Sequence, residues 1–220
     1  MSRIVEAYVG EYASGKSECA VNRALHLLET EADVTLVDLD FVEPFYTLRP
    51  IREELKERGL GVVAWVTEET LGLGETGSLM KPEMRWVLRR PGNIILDIGY
   101  GVKGAQILNL IEGAHEDPDL KIFAVINSGR PLTSSFEDVR DYILGLGPVH
   151  GLINNSHLGD DTDIAFIQEG AKMVTAVAKS VGLPMIATCA DERFKTDLGE
   201  FDVVGNPVRY LKRYMPRTFW

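Results

Sequence analysis

Cysteine is nearly absent. The two in 220 residues, Cys19 and Cys189, are far apart and have no CxxC spacing. That spacing signals neither a disulfide framework nor a thiolate metal centre, and both read as small buried hydrophobes. No apolar run approaches the length needed to cross a bilayer, and the opening MSRIVEAYVG lacks the basic flank and long apolar core of a signal peptide. The expected location is the cytoplasm, with no integral membrane segment. Positive charge is also scarce: 23 Lys and Arg stand against 33 Asp and Glu, for a net charge of −10. Such a field repels phosphate backbones and argues against general nucleic-acid binding. The richest basic stretches, KERG and the tail around Arg209, Lys212, Arg213 and Arg217, fit solvated helix faces. His26, His115 and His150 have no metal-ligand spacing, and there is no G-x-S-x-G elbow, so esterase-type hydrolysis is not supported.

What the sequence does contain is alternation. Apolar, β-rich runs at 4–9, 34–37, 61–65, 93–98, 122–126, 151–154 and 184–188 are separated by segments of helical period. This pattern builds a mostly parallel sheet of about seven strands with helices on both faces, an α/β class, here as a single domain over 1–220. Val21, Ala24, Leu25 and Leu28 share one helical face. Phe166, Gly170, Val174, Val177 and Val181 share another, with a helix start expected at Asp160-Asp161-Thr162. The glycine-rich stretch 71–78 is the candidate mobile loop.

The run Gly10-Glu11-Tyr12-Ala13-Ser14-Gly15-Lys16-Ser17 fits G-x-x-x-x-G-K-[ST], and it follows a strand and opens a helix, as a phosphate loop must. Its glycines let backbone amides turn inward, and the helix N-terminus adds unpaired N–H groups, including that of Glu18. Lys16 is placed to neutralise the β and γ phosphates, and Ser17 to offer its hydroxyl to Mg2+. Asp38 and Asp40 end the second strand on one side of it, where a carboxylate holds magnesium through water or orients the attacking water. Ile94-Ile95-Leu96-Asp97 has the form of a Walker B strand, with Asp97 acting on the metal. Gly99 and Gly101 follow, placed to approach a γ-phosphate and move when it leaves. Asn155, ending a later strand, either reads a purine edge or holds a turn. No NKxD signature of guanine-reading GTPases is present, which favours adenine.

In this order the elements resemble the MinD/ParA/CobQ class of P-loop proteins, the SIMIBI class, over nearly the whole chain. VGEYASGKSE, VDLDFVEPFYTLR, ILDIGYG and GLINNSHLGDDT are most similar to a group of stand-alone ATP-binding proteins within it. The resemblance implies a three-layer P-loop NTPase that binds ATP or ADP with Mg2+ and hydrolyses ATP slowly. It would act as a nucleotide-controlled switch or accessory factor for maturation or partitioning, with a protein partner and an ATP-dependent homodimer. It makes Lys16 and Ser17 the P-loop lysine and metal ligand, and Asp40 the switch I aspartate that supports hydrolysis. Asp97 becomes the Walker B residue, Gly101 the switch II glycine and Asn155 the adenine contact. One position departs: Glu11 stands where the class often carries a second lysine that reaches a partner's nucleotide. A carboxylate there is repelled by a triphosphate and should turn away. Arg49 or Arg130 would then supply the missing transition-state charge. The alternative reading is a synthetase of the dethiobiotin synthetase or CobQ type, which phosphorylates a small carboxylate with ATP; a nonhydrolysing sensor is a third.

Overall fold

The structure, a computed structural model, describes residues 3–31, 33–41, 48–65 and 80–215. The glycine-rich stretch 71–78 lies outside them. Among the described residues eight strands form one sheet: β1 Val5–Gly10, β2 Val34–Leu39, β3 Gly61–Val63, β4 Asn93–Ile98, β5 Leu120–Ile126, β6 Gly151–Asn154, β7 Met185–Asp191 and β8 Val208–Leu211. Their order is β3-β2-β4-β1-β5-β6-β7-β8, every pair parallel. Helices α1 Lys16–Leu28, α2 Arg52–Glu57, α3 Pro82–Arg85, α4 Gly101–Ala105, α5 Phe136–Leu146, α6 Ile164–Ser180 and α7 Lys195–Leu198 connect them.

The central strands are apolar throughout because both faces are covered. In β1 and β4, Val5, Ala7, Val9, Ile94, Leu96 and Ile98 face one core, with Val139 and Ile143 of α5 and Val174 and Val177 of α6. Tyr8 and Ile95 face the other, against Ala20, Val21 and Ala24 of α1 and Leu55 of α2. The strand period of two then fixes the acidic residues. Asp97 is two beyond Ile95 and Asp38 two beyond Leu36, so both fall on the α1 face, and they are direct cross-strand partners. The chain runs outward from β1 to β2 and β3, returns to β4 beside β1, and then crosses to β5 on the other side. The carboxyl ends of strands at such a reversal are where open α/β sheets bind ligands.

Two expectations are corrected. An eighth strand, VRYL, pairs with β7 in the segment taken from sequence for a tail; it is short and carries an arginine, so no apolar run marks it. The helix expected from Asp160-Asp161-Thr162 starts later, since residues Gly159–Asp161 form a 3-10 turn and Asp163 is the cap. The Asp163 carboxylate accepts from the Phe166 amide at 2.7 Å, which Asp160 and Asp161 are too early to do. Among the described residues no helix is long and apolar enough to cross a membrane.

Candidate nucleotide site

The loop between β1 and α1 has the backbone its sequence demands. The Ser14 amide donates to the Glu11 carbonyl at 3.1 Å, closing a turn. Ala13 and Gly15 both sit in the left-handed region, at φ 54° and 80°. Glycine suits the second position because a Cβ there would collide with the Asn155 amide nitrogen, and at Gly10 a Cβ would press on the Ser14 hydroxyl and the Val125 carbonyl. Gly15 caps α1 with no side-chain acceptor, and the first amide bonded back to the cap is that of Cys19, at 3.0 Å. The amides of Lys16, Ser17 and Glu18 are therefore left pointing out of the helix end, an arrangement that suits an anion.

The loop's carbonyls are held from the other side. Asn155 donates to Ser14 O at 2.7 Å, while Asn127 and Arg130 Nε donate to Ala13 O at 3.3 and 3.1 Å. Asn127 Oδ1 in turn accepts from the amides of Gly129 and His157 at 2.8 and 3.0 Å. The loops after β5 and β6 thus draw the carbonyls outward, which turns the amides in. Asn127 ends the apolar run IFAVIN and is fully buried, a site residue that no motif marks. The amide nitrogen of Asn155, expected near the site, serves the loop.

Lys16 is buried, with Nζ 3.6 Å from Asp40 Oδ2. The Asp40 amide donates to Asp38 Oδ1 at 3.0 Å, so β2 runs straight into the carboxylate that meets the lysine. Asp97 has no exposed surface, and neither of its oxygens makes a regular hydrogen bond among the described residues, although Ser17 lies beside it. Burial pushes its carboxyl up to about 8; Lys16 opposes this, Asp38 adds to it, and the Ser17 hydroxyl and Asp40 act more weakly, downward and upward. Three carboxylates therefore gather around one ammonium. The orphaned oxygens of Asp97, beside Ser17, fit a divalent cation, which would hold the carboxyl ionised. Among the described residues no group of three His, Cys, Asp or Glu is set to hold a metal alone. Mg2+ takes most of its ligands from water and phosphate, so this is compatible with it.

Glu11 folds back on its own loop, accepting from the Tyr12 amide at 3.0 Å, and its Oε2 lies 3.8 Å from where a Cβ on Gly101 would stand. Tyr12 meets Tyr100 edge-on, with ring centroids 5.4 Å apart, and Lys16 Nζ lies 6.0 Å from the Tyr100 ring. Gly101, at φ 72°, opens α4, and a Cβ on Gly104 would collide with the backbone of Gly99. The segment after Asp97 thus packs directly against the phosphate loop. The Glu18 side chain turns elsewhere, accepting from the Tyr214 and Met215 amides at 3.0 and 2.7 Å. Arg49 begins a 3-10 turn, and its side chain lies outside the described residues.

A glycine loop between strand and helix, a buried lysine, and an aspartate on the adjacent strand of an all-parallel sheet define a three-layer α/β P-loop NTPase fold. Solved structures carry the same fold. One is FlhF complexed with GTP/Mg2+, at 14% identity and TM-score 0.51, covering 84% of this chain and 64% of that one. Another is the signal recognition particle receptor FtsY from Elizabethkingia anophelis in complex with GDP, at 14% identity and TM-score 0.58, covering 87% and 58%. Cell division protein FtsY from Thermotoga maritima matches at 16% identity and TM-score 0.54, over 87% and 63%. The chain spans less than two thirds of each of these proteins. No protein-family model and no curated protein matches the sequence.

Proposed function

We propose that this chain binds ATP with Mg2+ at residues 10–18 and hydrolyses it slowly, as a nucleotide-controlled switch acting on a protein partner. The observation that carries the reading is the pairing of unbonded amides at the start of α1 with the buried, unpartnered carboxylate of Asp97 across from Ser17. The amides of Lys16, Ser17 and Glu18 would take phosphate oxygens, and Lys16 Nζ would leave Asp40 for the β and γ phosphates. Ser17 and Asp97 would hold Mg2+, with Asp38 behind them; when bound, the ion neutralises phosphate charge. Asp40, freed of Lys16, would orient the attacking water. Gly99, Gly101 and Tyr100, packed on the loop, would carry the difference between nucleotide states to the surface. Arg130, anchored on Ala13, supports the reading that it supplies positive charge close to the phosphates.

ATP is preferred over GTP because no NKxD motif is present. GTP is the competing choice, since the similar FlhF and FtsY structures hold GTP and GDP. Calorimetry with each nucleotide and Mg2+ decides. We expect micromolar ATP affinity, GTP at least about tenfold weaker, and no binding by Lys16→Ala. Tighter GTP would reverse the base assignment alone, whereas retained affinity in Lys16→Ala would remove the nucleotide reading. Turnover seen only with an added small carboxylate would favour the synthetase.

A further inference from the structure

The two cysteines, 170 positions apart in sequence, meet in the fold, with the Cys19 thiol donating to the Cys189 sulfur at 3.7 Å. Both are free and buried. Cys19 lies on α1 two residues past Ser17, and Cys189 lies within β7, where its cross-strand partner on β8 is Arg209. A cavity of about 840 Å3 on the sheet face that α1 covers has both cysteines in its lining. Arg58, Lys195, Arg209 and Lys212 line it against Glu29 and Glu192. Arg209 and Lys195 have no ion pair among the described residues. On a chain of net charge −10 this concentrates positive charge around the only two thiols.

We infer that Cys19 and Cys189 form an oxidisable dithiol, which a small anionic disulfide entering this cavity converts to a Cys19–Cys189 bond that restrains α1 and weakens nucleotide binding. The thiolate of Cys189 attacks one sulfur of the reagent, whose S–S bond breaks and releases one thiolate. Cys19 then gives up its proton and attacks the Cys189 sulfur, expelling the second thiolate. The chain loses two electrons and two protons, and the reagent becomes two thiols. The donated Cys19 hydrogen bond and the nearby Arg209 charge lower the Cys189 pKa against the effect of burial, favouring Cys189 as attacker. To bond, the sulfurs must close from 3.7 Å to about 2.05 Å. β7 is fixed between β6 and β8, so the movement falls on α1, whose first turn carries the phosphate amides. The effect on nucleotide rests on the proposed function; the thiol chemistry does not.

The test uses 5,5′-dithiobis(2-nitrobenzoate), a dianionic aromatic disulfide, on the folded chain. The expected result is release of two thionitrobenzoates per chain and a product lighter by two hydrogens, with the Cys19 and Cys189 peptides linked. ATP affinity should fall about tenfold and recover on reduction. Arg209→Ser should slow the first release severalfold. Cys189→Ala, or Cys19→Ala if that variant folds poorly, should release at most one and keep the parent affinity. Unreactive thiols in the folded chain, or a stable mixed adduct with no second release, would overturn the dithiol. A disulfide that forms while ATP affinity stays unchanged would overturn the restraint on α1. Should the parent bind no nucleotide at all, the proposed function fails and the thiol count still decides the pair.

Discussion

Gly15 shows how one residue ties backbone to chemistry. Its positive φ is a region where an L side chain costs about 1–2 kcal/mol, and a Cβ would also meet Asn155. Gly15→Ala should therefore lower unfolding stability by at least that amount in denaturant titration and weaken ATP binding together with it. Asp40 behaves differently, because its partner is Lys16, which in the proposed function leaves it for the nucleotide. Asp40→Ala should keep ATP binding while hydrolysis slows by about two orders of magnitude or more in a phosphate-release assay; an unchanged rate would make Asp40 structural. His157, next to the Asn127 junction, has its pKa pushed down from 6.5 to about 4, mainly by burial and then by Arg130 and Arg213. The folded value lies below the unfolded one, so the unfolded chain takes up the proton first. Stability is full above pH 6.5, falls as pH drops, and has lost its share near pH 4, up to about 3 kcal/mol. His157→Gln should flatten the stability profile across that window.

At the scale of elements, the phosphate loop is shaped by its neighbours. Asn155 on the loop after β6 holds the Ser14 carbonyl in a buried bond, so Asn155→Ala leaves that acceptor unpaired at a cost of about 1–3 kcal/mol. The same variant should raise the Kd for ATP and GTP alike. A loss confined to ATP would instead favour the adenine contact. The sequence made β1, its loop and α1 readable because strand, glycines, lysine and helix follow one another without interruption. It gave Asp38 and Asp97 the right strand ends. It did not reveal Asn127 or the 2.7 Å bond from Asn155, since one amide in a turn looks like any other. β8 escaped notice because a four-residue edge strand flanked by charge has no period to detect.

For the whole molecule, a ligand that binds only the folded state must stabilise it. Mg-ATP at about a hundred times its Kd should add about 2.7 kcal/mol, which raises Tm by roughly 5–10 °C for a chain of this size. Scanning fluorimetry should show that rise in the parent and none in Lys16→Ala. The sequence by itself determined the α/β class, the phosphate loop and the order of acidic strand ends, because each depends on residues close together along the chain. Only the tertiary structure decided what meets across it. Parallel pairing put Asp38 beside Asp97, the β5 and β6 loops behind the phosphate loop, Tyr214 and Met215 against Glu18, and Cys19 against Cys189. These contacts join residues far apart in sequence, and sheet order, rather than local pattern, chooses the partners.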